Sequence, residues 1–248
     1  LRRCPRLETL RARENSITSL DLNWPEFPEL ANIDLYRNRI TSLSSIDKSF
    51  KLRSMNLECN DITHIHIRHP VPSLRVLRLS ENTRLFRHAS GVVDIAKWVN
   101  CFPGLKTLYM DGCQARYLGC NSSHEKVAAS PWLSLYNLSV RGQTGAGELV
   151  LDLTCFRHLR NLYVSKQRVS LPRALPALPH LVQLELWNVG LTRLPPNLSS
   201  AALRLELLDV SNNPDLRDLS PIYHCHSLRI LRCRYIGWGS SQPRAPIR

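Results

Sequence analysis

One pattern of leucines returns along almost the whole chain and restricts the folds that the chain can adopt. The pattern is apolar-x-x-apolar-x-apolar-x-x-Asn, and ten copies of it align. Seven of the nine steps between copies are 22 to 24 residues, and the other two are 31 and 30 residues. A segment of this length cannot bury its apolar residues alone, so we expect the copies to stack. The copies begin at Leu7, Leu30, Leu52, Leu74, Leu105, Leu135, Leu159, Leu181, Leu205 and Leu228.

Two further columns support the stacking. All thirty residues at the three apolar positions are apolar, although apolar residues make up only 43% of the 248. The ninth position is mostly an amide, which can bond the backbone of the neighbouring coil. It is occupied by Asn15, Asn38, Asn60, Asn82, Cys113, Gln143, Gln167 and Asn213, with breaks at Val189 and Ile236. A second apolar column, including Phe27, Val71, Phe102, Phe156 and Leu178, precedes the leading leucines by three residues and is expected to pack on the convex side.

Segments such as LANIDLYRNRITSL (30–43) and LVQLELWNVGLTRLPPNL (181–198) resemble leucine-rich repeats. The early coils resemble the short repeats of intracellular proteins, and the later ones, with SLPRAL and RLPPNL, resemble the typical Leu-x-x-Leu-Pro class. The resemblance implies an α/β fold: a curved solenoid of about ten repeats. A parallel β-sheet would line its concave face, and irregular, 3₁₀ or short helical segments its convex side.

Residues 1–238 are predicted to form this solenoid, with longer repeats at about 86–104 and 116–131. In the first insertion, Val92, Ile95, Ala96, Val99 and Phe102 have helical spacing, which predicts a convex helix. The second insertion is polar and predicts a loop. Residues 239–248 read as a basic, unstructured tail. The first coil is already in phase at Leu7, so we expect missing residues or another chain to cover the N-terminal end.

No apolar stretch reaches the ~18 residues that a membrane span needs, so no span is predicted. Candidate metal ligands are the sets Cys101, Cys113, Cys120 and His124; His224, Cys225, His226 and Cys233; and His64, His66 and His69. Their spacing fits no usual zinc pattern, and several members fall in core columns, so we predict no metal site and no cofactor. The glycines of RGQTGAGE (141–148) lack the lysine of a phosphate-binding loop. We therefore predict no enzyme activity.

The eight cysteines are scattered through core-like positions rather than paired in terminal caps. This favours reduced thiols and an intracellular, by default cytoplasmic, location. Glycosylation triplets at Asn121, Asn137 and Asn197 leave the question undecided because about two are expected by chance.

Charge gives limited evidence about a partner. The chain carries a net charge of +13, with 27 Arg and 6 Lys. In the predicted solenoid five residues per coil lie on the concave face, and these fifty comprise thirteen basic and nine acidic residues. That mixed charge argues against a concave nucleic-acid track. A nucleic acid could still contact arginines elsewhere, namely Arg84, Arg87, Arg116, Arg157, Arg168, Arg173 and Arg193.

Aromatic residues are more informative. Five of the seven tyrosines fall at concave positions, where about 1.4 would be expected, and Trp187 joins them. Tyr, Trp and Arg are enriched in interface hot spots, although the strand propensity of Tyr explains part of the excess. We predict a partner-binding patch, suited to an acidic or aromatic-bearing peptide or domain. Its members are Tyr109, Tyr136, Arg141, Arg160, Tyr163, Lys166 and Trp187.

The leading functional hypothesis is a non-enzymatic protein-binding scaffold, acting as an adaptor or as a subunit of a larger assembly. Two alternatives remain open. The basic composition is compatible with an RNA-associated subunit of a ribonucleoprotein particle. The typical repeats and the open N-terminal end are compatible with the recognition region of an immune-type or cell-surface receptor.

Overall fold

The computed structural model describes residues 4–44, 46–49, 51–86, 92–94, 101–119, 134–142 and 147–237. Each of the ten predicted repeats gives one short strand to a single parallel sheet. In sheet order the strands are β1 (Thr9–Arg11), β2 (Asn32–Asp34), β4 (Ser54–Asn56), β6 (Val76–Arg78), β8 (Thr107–Tyr109), β10 (Asn137–Arg141), β12 (Asn161–Ser165), β14 (Gln183–Trp187), β15 (Leu207–Asp209) and β16 (Ile230–Arg232). We call this sheet the concave sheet and its exposed side the concave face.

The strands pair in sequence order and in constant register. The middle leucine of one strand lies opposite the middle leucine of the next, as with Leu138 and Leu162 or Leu162 and Leu184. Because side chains alternate along a strand, these leucines point together into the interior while their neighbours point outward. Leu138 and Leu162 have no exposed surface. The predicted repeat fold is therefore confirmed.

Two smaller parallel sheets lie behind the concave sheet. One contains β7 (Val92–Asp94), β9 (Tyr117–Gly119), β11 (Leu149–Leu151) and β13 (Val169–Ser170), and the other contains β3 (Ser42–Ser44) and β5 (His64–His66). Short helical segments complete the coils: η1 (Trp24–Glu26), η2 (Ile46–Lys48), η3 (Leu153–Cys155), α1 (Leu198–Ala201) and η4 (Ser220–Ile222). Among the described residues no helix is long and apolar enough to cross a bilayer.

The second sheet corrects one prediction. The helix expected from the spacing of Val92 to Phe102 cannot begin at Val92, because Val92–Asp94 form β7 and pair with Tyr117–Gly119. Residues 95–100 of the expected helix lie outside the described residues, and Phe102 is fully buried. The predicted loop at 116–131 likewise begins with strand β9, and residues 120–131 lie outside the described part, as does the predicted tail at 239–248.

The amide column forms the predicted ladder in the early repeats. The Asn60 side-chain oxygen accepts a hydrogen bond from the Ile40 backbone nitrogen at 3.0 Å, and its nitrogen donates to the Leu35 and Leu57 carbonyl oxygens. Asn38, Asn82 and Asn213 make the corresponding contacts. These bonds satisfy buried backbone groups that would otherwise lose their contacts with water.

A residue with positive φ follows each strand of the concave sheet. It is the seventh after the leading leucine in all ten repeats, from Glu14 (φ 55°) to Tyr235 (φ 53°). Only two of the ten are glycine, Gly112 and Gly142. The left-handed conformation turns the chain out of the sheet, and its cost for an ordinary side chain is ~1–2 kcal/mol.

Candidate functional site

Strand register lines up one row of side chains across the centre of the concave face. From β6 to β14 the row contains Arg78, Tyr109, Ser139, Tyr163 and Glu185, each opposite the next. Neighbouring strands are ~4.8 Å apart, so consecutive residues in the row are in contact range. The small Ser139 between Tyr109 and Tyr163 is buried, while both tyrosines are half-buried. The row therefore presents two tyrosines separated by one small residue.

Tyr163 lies at the centre of the predicted patch. Its hydroxyl donates to the Gln183 side-chain oxygen at 2.8 Å, and the Arg141 guanidinium lies 4.9 Å from its ring centroid. Burial raises the pKa of the Tyr163 hydroxyl, and the charge of Arg141 opposes that rise. Tyr163 therefore stays neutral at physiological pH, with its ring fixed at both the hydroxyl and the face.

Arg141 connects two strands across the face. Its Nη2 forms a salt bridge of 2.6 Å with Glu185 Oε2, and its backbone nitrogen donates to Asp111 Oδ1 at 2.7 Å. The same Asp111 oxygen accepts from the Ser139 hydroxyl at 2.7 Å. Stacking on a ring and pairing with a carboxylate together hold the long arginine side chain in one position.

Three more aromatic rings in this region, those of Tyr109, Tyr136 and Trp187, lie beside cations. Lys106 and Arg160, on either side of Tyr136, lie 5.4 Å and 5.1 Å from its ring centroid. Arg78 lies 4.7 Å from the ring centroid of Tyr109. Each contact of this kind contributes ~0.5–1 kcal/mol at an exposed site, so the four aromatic residues of the region and their cations are positioned before any partner arrives.

Trp187 forms the C-terminal border of the patch. The Lys166 ammonium lies 5.6 Å from its ring centroid. Trp187 is paired with the buried Ser165 in the neighbouring strand, and with Ser211 it lines a hollow that continues to Tyr235. The small serine side chains leave part of the indole surface open to solvent, and Trp187 is half-buried.

The structure therefore brings the seven predicted patch residues onto the four adjacent strands β8, β10, β12 and β14 or the residues directly beside them. Sequence reasoning missed Arg78, Lys106, Asp111, Gln183 and Glu185, which hold the patch residues in place. Strand register was the missing signal: it identifies the residue opposite each tyrosine, and the sequence repeat alone already contains that information. Whether a partner binds here remains a prediction.

The other two concave tyrosines lie apart from the patch. Tyr36 is on the second repeat, with Arg37 at 5.3 Å from its ring centroid. Tyr235 is on the last repeat and is 81% exposed. Both are near the ends of the sheet, so the aromatic excess predicted for the concave face includes two residues outside the central cluster.

The candidate metal sets receive no support from the described residues, where no group of three or more His, Cys, Asp or Glu side chains could hold a metal ion. Cys101 and Cys113 are free thiols, and burial raises the pKa of each. Cys120 and His124 lie outside the described residues. The buried Cys113 instead donates from its Sγ to the Leu79 carbonyl oxygen at 3.2 Å, in the position that asparagine occupies in earlier repeats.

The histidine sets are dispersed. His64 and His66 are exposed at the two ends of β5, and His224 and His226 lie edge to face with centroids 6.3 Å apart. Cys225 and Cys233 are half-buried free thiols that pack against the core.

Disulfide chemistry corrects another expectation. Six of the seven described cysteines are free thiols, as predicted. Cys155, at the end of η3, is disulfide-bonded. Its partner lies outside the described residues, so the prediction that the cysteines are reduced is wrong for this one.

Comparison with known proteins agrees with the architecture. No protein-family model matches the sequence, and no curated protein matches it. Among solved structures, an internalin C2 from Listeria monocytogenes is similar with a TM-score of 0.53 and 17% identity, covering 91% of this chain and 80% of the internalin. A second internalin from the same organism has a TM-score of 0.48 and 14% identity, covering 93% of this chain and 74% of its own.

At these identities the first similarity concerns the fold alone. It agrees with the parallel-sheet solenoid described above. The chain therefore has the fold of a leucine-rich-repeat solenoid.

Proposed function

We propose that this solenoid is a non-enzymatic protein-binding module whose partner docks on the central concave face, at Tyr109, Tyr136, Arg141, Arg160, Tyr163, Lys166 and Trp187. The observation that carries the proposal is the set of aromatic–cation contacts between 4.7 and 5.6 Å on adjacent strands. Residues that are already positioned lose little rotational freedom when a partner binds, and this increases the affinity gained per contact.

Charge and ring placement indicate the chemistry of the partner. Arg160 and Lys166 are exposed, and neither forms a salt bridge within the described part of the chain. Both can therefore pair with carboxylates of a partner, while the open surface of Trp187 can pack against an aromatic or aliphatic side chain. An acidic, aromatic-bearing peptide or domain satisfies both requirements.

The patch supports a protein partner more than RNA. Single-stranded nucleic acids gain much of their affinity by stacking bases on exposed aromatic faces. The Tyr136 ring has cations from both neighbouring strands close to it, and Arg141 covers Tyr163. A base would have to displace these cations to stack on the same face of either ring.

A specific observation favours the receptor alternative over an intracellular adaptor. Cys155 is disulfide-bonded, and disulfides persist mainly in oxidising compartments. We therefore keep, as a second candidate, a recognition region that works outside the cytosol through the same patch. Both candidates bind protein and differ in location.

A thiol count separates the two candidates. The chain has eight cysteines, six of which are free in the structure. Protein taken from its native compartment and unfolded directly in an alkylating agent should be labelled at six cysteines without prior reduction and at eight after reduction. Eight without reductant would support the intracellular candidate.

Selection from a random peptide library displayed on phage tests the binding proposal. We expect enriched peptides to contain Asp or Glu together with an aromatic residue. Tyr163→Ala and Trp187→Ala should each weaken their binding by ~1–4 kcal/mol, measured by titration calorimetry, as expected for hot-spot residues. Because neither ring belongs to the core, both variants should keep the circular-dichroism spectrum and melting temperature of the parent within a few degrees.

The matched control is Tyr223→Ala, which removes a tyrosine that is 56% exposed and lies beside η4 rather than on the concave sheet. Its affinity for the same peptides should equal that of the parent protein. Unchanged binding in both patch variants, or an equal loss in the control, would overturn the proposed site.

A further inference from the structure

The basic residues of the concave face are not mixed evenly with the acidic ones. One column, the residue directly after the leading leucine of each repeat, contains Arg53, Arg75, Lys106, Tyr136 and Arg160 in repeats three to seven. The backbone nitrogen of each residue from Arg75 onward donates to the carbonyl oxygen of the one before it, at 2.8 Å in all four pairs. The five residues therefore occupy consecutive steps, and we call them the rim strip.

All five lie where a strand of the concave sheet begins. Since the strands are parallel, their starting ends meet at one rim of the sheet, and the strip extends along that rim for four strand spacings, or ~19 Å. Arg53, Lys106 and Arg160 are exposed, and Arg75 and Tyr136 are half-buried.

The columns beside the strip contain no unpaired acid. On the strand side lie Ser54, Val76, Thr107, Asn137 and Asn161, and on the other side lie Lys51, Ser73, Gly104, Ser134 and His158. Lys51 is paired with Glu29 at 2.6 Å, so this pair adds no net charge. Arg53, Arg75, Lys106 and Arg160 therefore form a positive cluster that no carboxylate of the described residues neutralises. The total charge of the concave face does not reveal this cluster because acidic residues elsewhere on the face nearly balance it.

Three of the four cations have contacts that hold them in position. Nη1 of Arg75 donates to the carbonyl oxygens of Pro72, Leu74 and Gly104. The Arg160 guanidinium and the Lys106 ammonium both rest beside the Tyr136 ring. Among the described residues no hydrogen bond is made by the other N–H groups of these side chains, which leaves them available to anions spaced along the strip.

The spacing distinguishes between kinds of acidic peptide. Counted in strand spacings of ~4.8 Å from Arg53, the cations Arg53, Arg75, Lys106 and Arg160 lie at ~0, 4.8, 9.6 and 19 Å along the rim. Carboxylates at positions i, i+3, i+7 and i+14 of an α-helix are at ~0, 4.5, 10.5 and 21 Å, a mismatch of at most ~2 Å. Residues on the same face of an extended strand are ~6.8 Å apart, so their positions differ from those of the cations by up to ~4 Å.

We propose that the rim strip binds an acidic amphipathic helix of a protein partner, lying along the rim with one face of carboxylates toward Arg53, Arg75, Lys106 and Arg160. This rests on the proposed function, since Tyr136 and Arg160 belong to the patch as well, and it specifies what part of the partner the patch accepts. Arg53 and Lys106, the other two exposed cations of the rim strip, lie outside the patch.

Two synthetic 15-residue peptides test the proposal by fluorescence anisotropy with the full chain. One has Glu at positions 1, 4, 8, 11 and 15 in an alanine-rich helix, and the other has the same composition with the glutamates distributed around the helix. We expect the aligned peptide to bind at least about fivefold more tightly, because only its carboxylates match the spacing of the cations. Equal affinities would overturn the proposal, since the strip would then respond to net charge alone.

Charge-reversal variants locate the contact. Arg53→Glu and Lys106→Glu should each weaken binding of the aligned peptide about tenfold, while Arg193→Glu, the same charge change at an exposed residue of the 190–196 turn, should change it less than about twofold. An equal effect at Arg193 would contradict the strip. The two proposals can fail separately. If Tyr163→Ala loses binding of the phage-selected peptides while Arg53→Glu binds the aligned peptide as tightly as the parent, the rim-strip proposal is wrong and the proposed function is still supported.

Two competitors decide the ligand class. A 12-nucleotide poly-U RNA and a heparin octasaccharide should displace the aligned peptide only at concentrations well above that of the unlabelled peptide itself. Tighter binding of either competitor, lost in Lys106→Glu, would assign the strip to that polyanion and overturn the acidic-helix proposal.

Discussion

Repeats two to four and repeats five to eight solve the same packing problem in different ways. In the earlier region the ladder is uniform, with Asn38, Asn60 and Asn82 making nearly identical bonds. In the later region the ladder position holds Cys113, Gln167 and Val189, and the concave face above it carries most of the aromatic patch. The leucine core is unchanged between them. The leucines therefore specify the solenoid, and the ladder and the face vary together in the repeats that hold the predicted patch.

The first prediction tests whether the core is equivalent in the two regions. Leu77 and Leu162 occupy the same repeat position in β6 and β12, and neither has exposed surface. Leu77→Ala and Leu162→Ala should each lower the free energy of unfolding by ~2–5 kcal/mol, because each leaves a cavity in a fully packed core. Urea denaturation measures both values. A loss below 1 kcal/mol in one region only would show that its core is not closely packed.

The second prediction tests the ladder. Asn60→Ala should cost ~2–3 kcal/mol, because it leaves the Ile40 nitrogen and the Leu35 carbonyl buried without that partner. Cys113→Ala should cost only ~1 kcal/mol, since it removes one weak donor to the Leu79 carbonyl. Thermal and urea unfolding compare the two. Equal losses would mean that the hydrogen bonds of the asparagine column add nothing to stability beyond the packing of the side chain.

The third prediction tests how much backbone strain the two regions carry at the positive-φ position. At the left-handed position after each strand, the early region has Arg37, Cys59 and Glu81, whereas the later region has Gly112, Gly142, Lys166 and Asn188. Asparagine tolerates positive φ better than most residues, so Cys59→Asn should raise the free energy of unfolding by ~0.5–1 kcal/mol. The reciprocal change Asn188→Cys should lower it by a similar amount. A destabilised Cys59→Asn would show that packing of the thiol outweighs backbone strain.

The smallest expected effect concerns Glu58 on the concave face of the early region. Burial raises the pKa of its carboxyl, although the charge of Arg78 opposes the rise. The folded protein therefore holds this proton more tightly than the unfolded chain, and the resulting stability is present at low pH and lost as the pH rises through the raised pKa.

Glu58→Gln should remove that loss. Relative to the parent, the variant should gain stability at pH 7 compared with pH 4, by less than about 1 kcal/mol because the side chain is half exposed. Glu81→Gln, at an exposed site, is the control and should show no such difference. Melting temperatures at the two pH values provide the measurement.

The sequence predicts most of the concave sheet because one signal repeats ten times. Each leading leucine locates a strand, and the three-residue offset to Phe27, Phe102 or Phe156 locates the convex column. The apolar members Phe27, Val71, Phe102, Phe156, Leu178 and Ala202 are at most 4% exposed. Local irregularity is averaged out by the many copies, so even Cys113 could be placed in the ladder from its position alone.

The convex side was less predictable because it lacks this redundancy. The apolar residues from Val92 to Phe102 have helical spacing, yet Val92–Asp94 form a strand because the neighbouring coil offers Tyr117–Gly119 as a pairing partner. Two β-branched valines in succession favour that choice. A local pattern contains no information about the adjacent coil, and here the tertiary partner overrides it.

The candidate site was predictable in its aromatic members and, through strand register, in the residues opposite them, but not in the contacts that those residues make. Tyr163 is identifiable from the repeat, whereas the hydrogen bond of its hydroxyl to Gln183 and the salt bridge of Arg141 to Glu185 depend on side-chain positions. The disulfide at Cys155 was also missed, because a cysteine at a core-like position cannot be distinguished from a packed thiol by sequence alone.

Hydroxyl-radical footprinting with and without a saturating phage-selected peptide tests the central claim most directly, because it compares the two regions within one molecule. The account predicts lower oxidation of Tyr163 and Trp187 in the complex and unchanged oxidation of Tyr36, which lies on the same face in the second repeat. Protection of Tyr36 or Tyr223 with unaltered Tyr163 and Trp187 would contradict it and place the binding surface elsewhere.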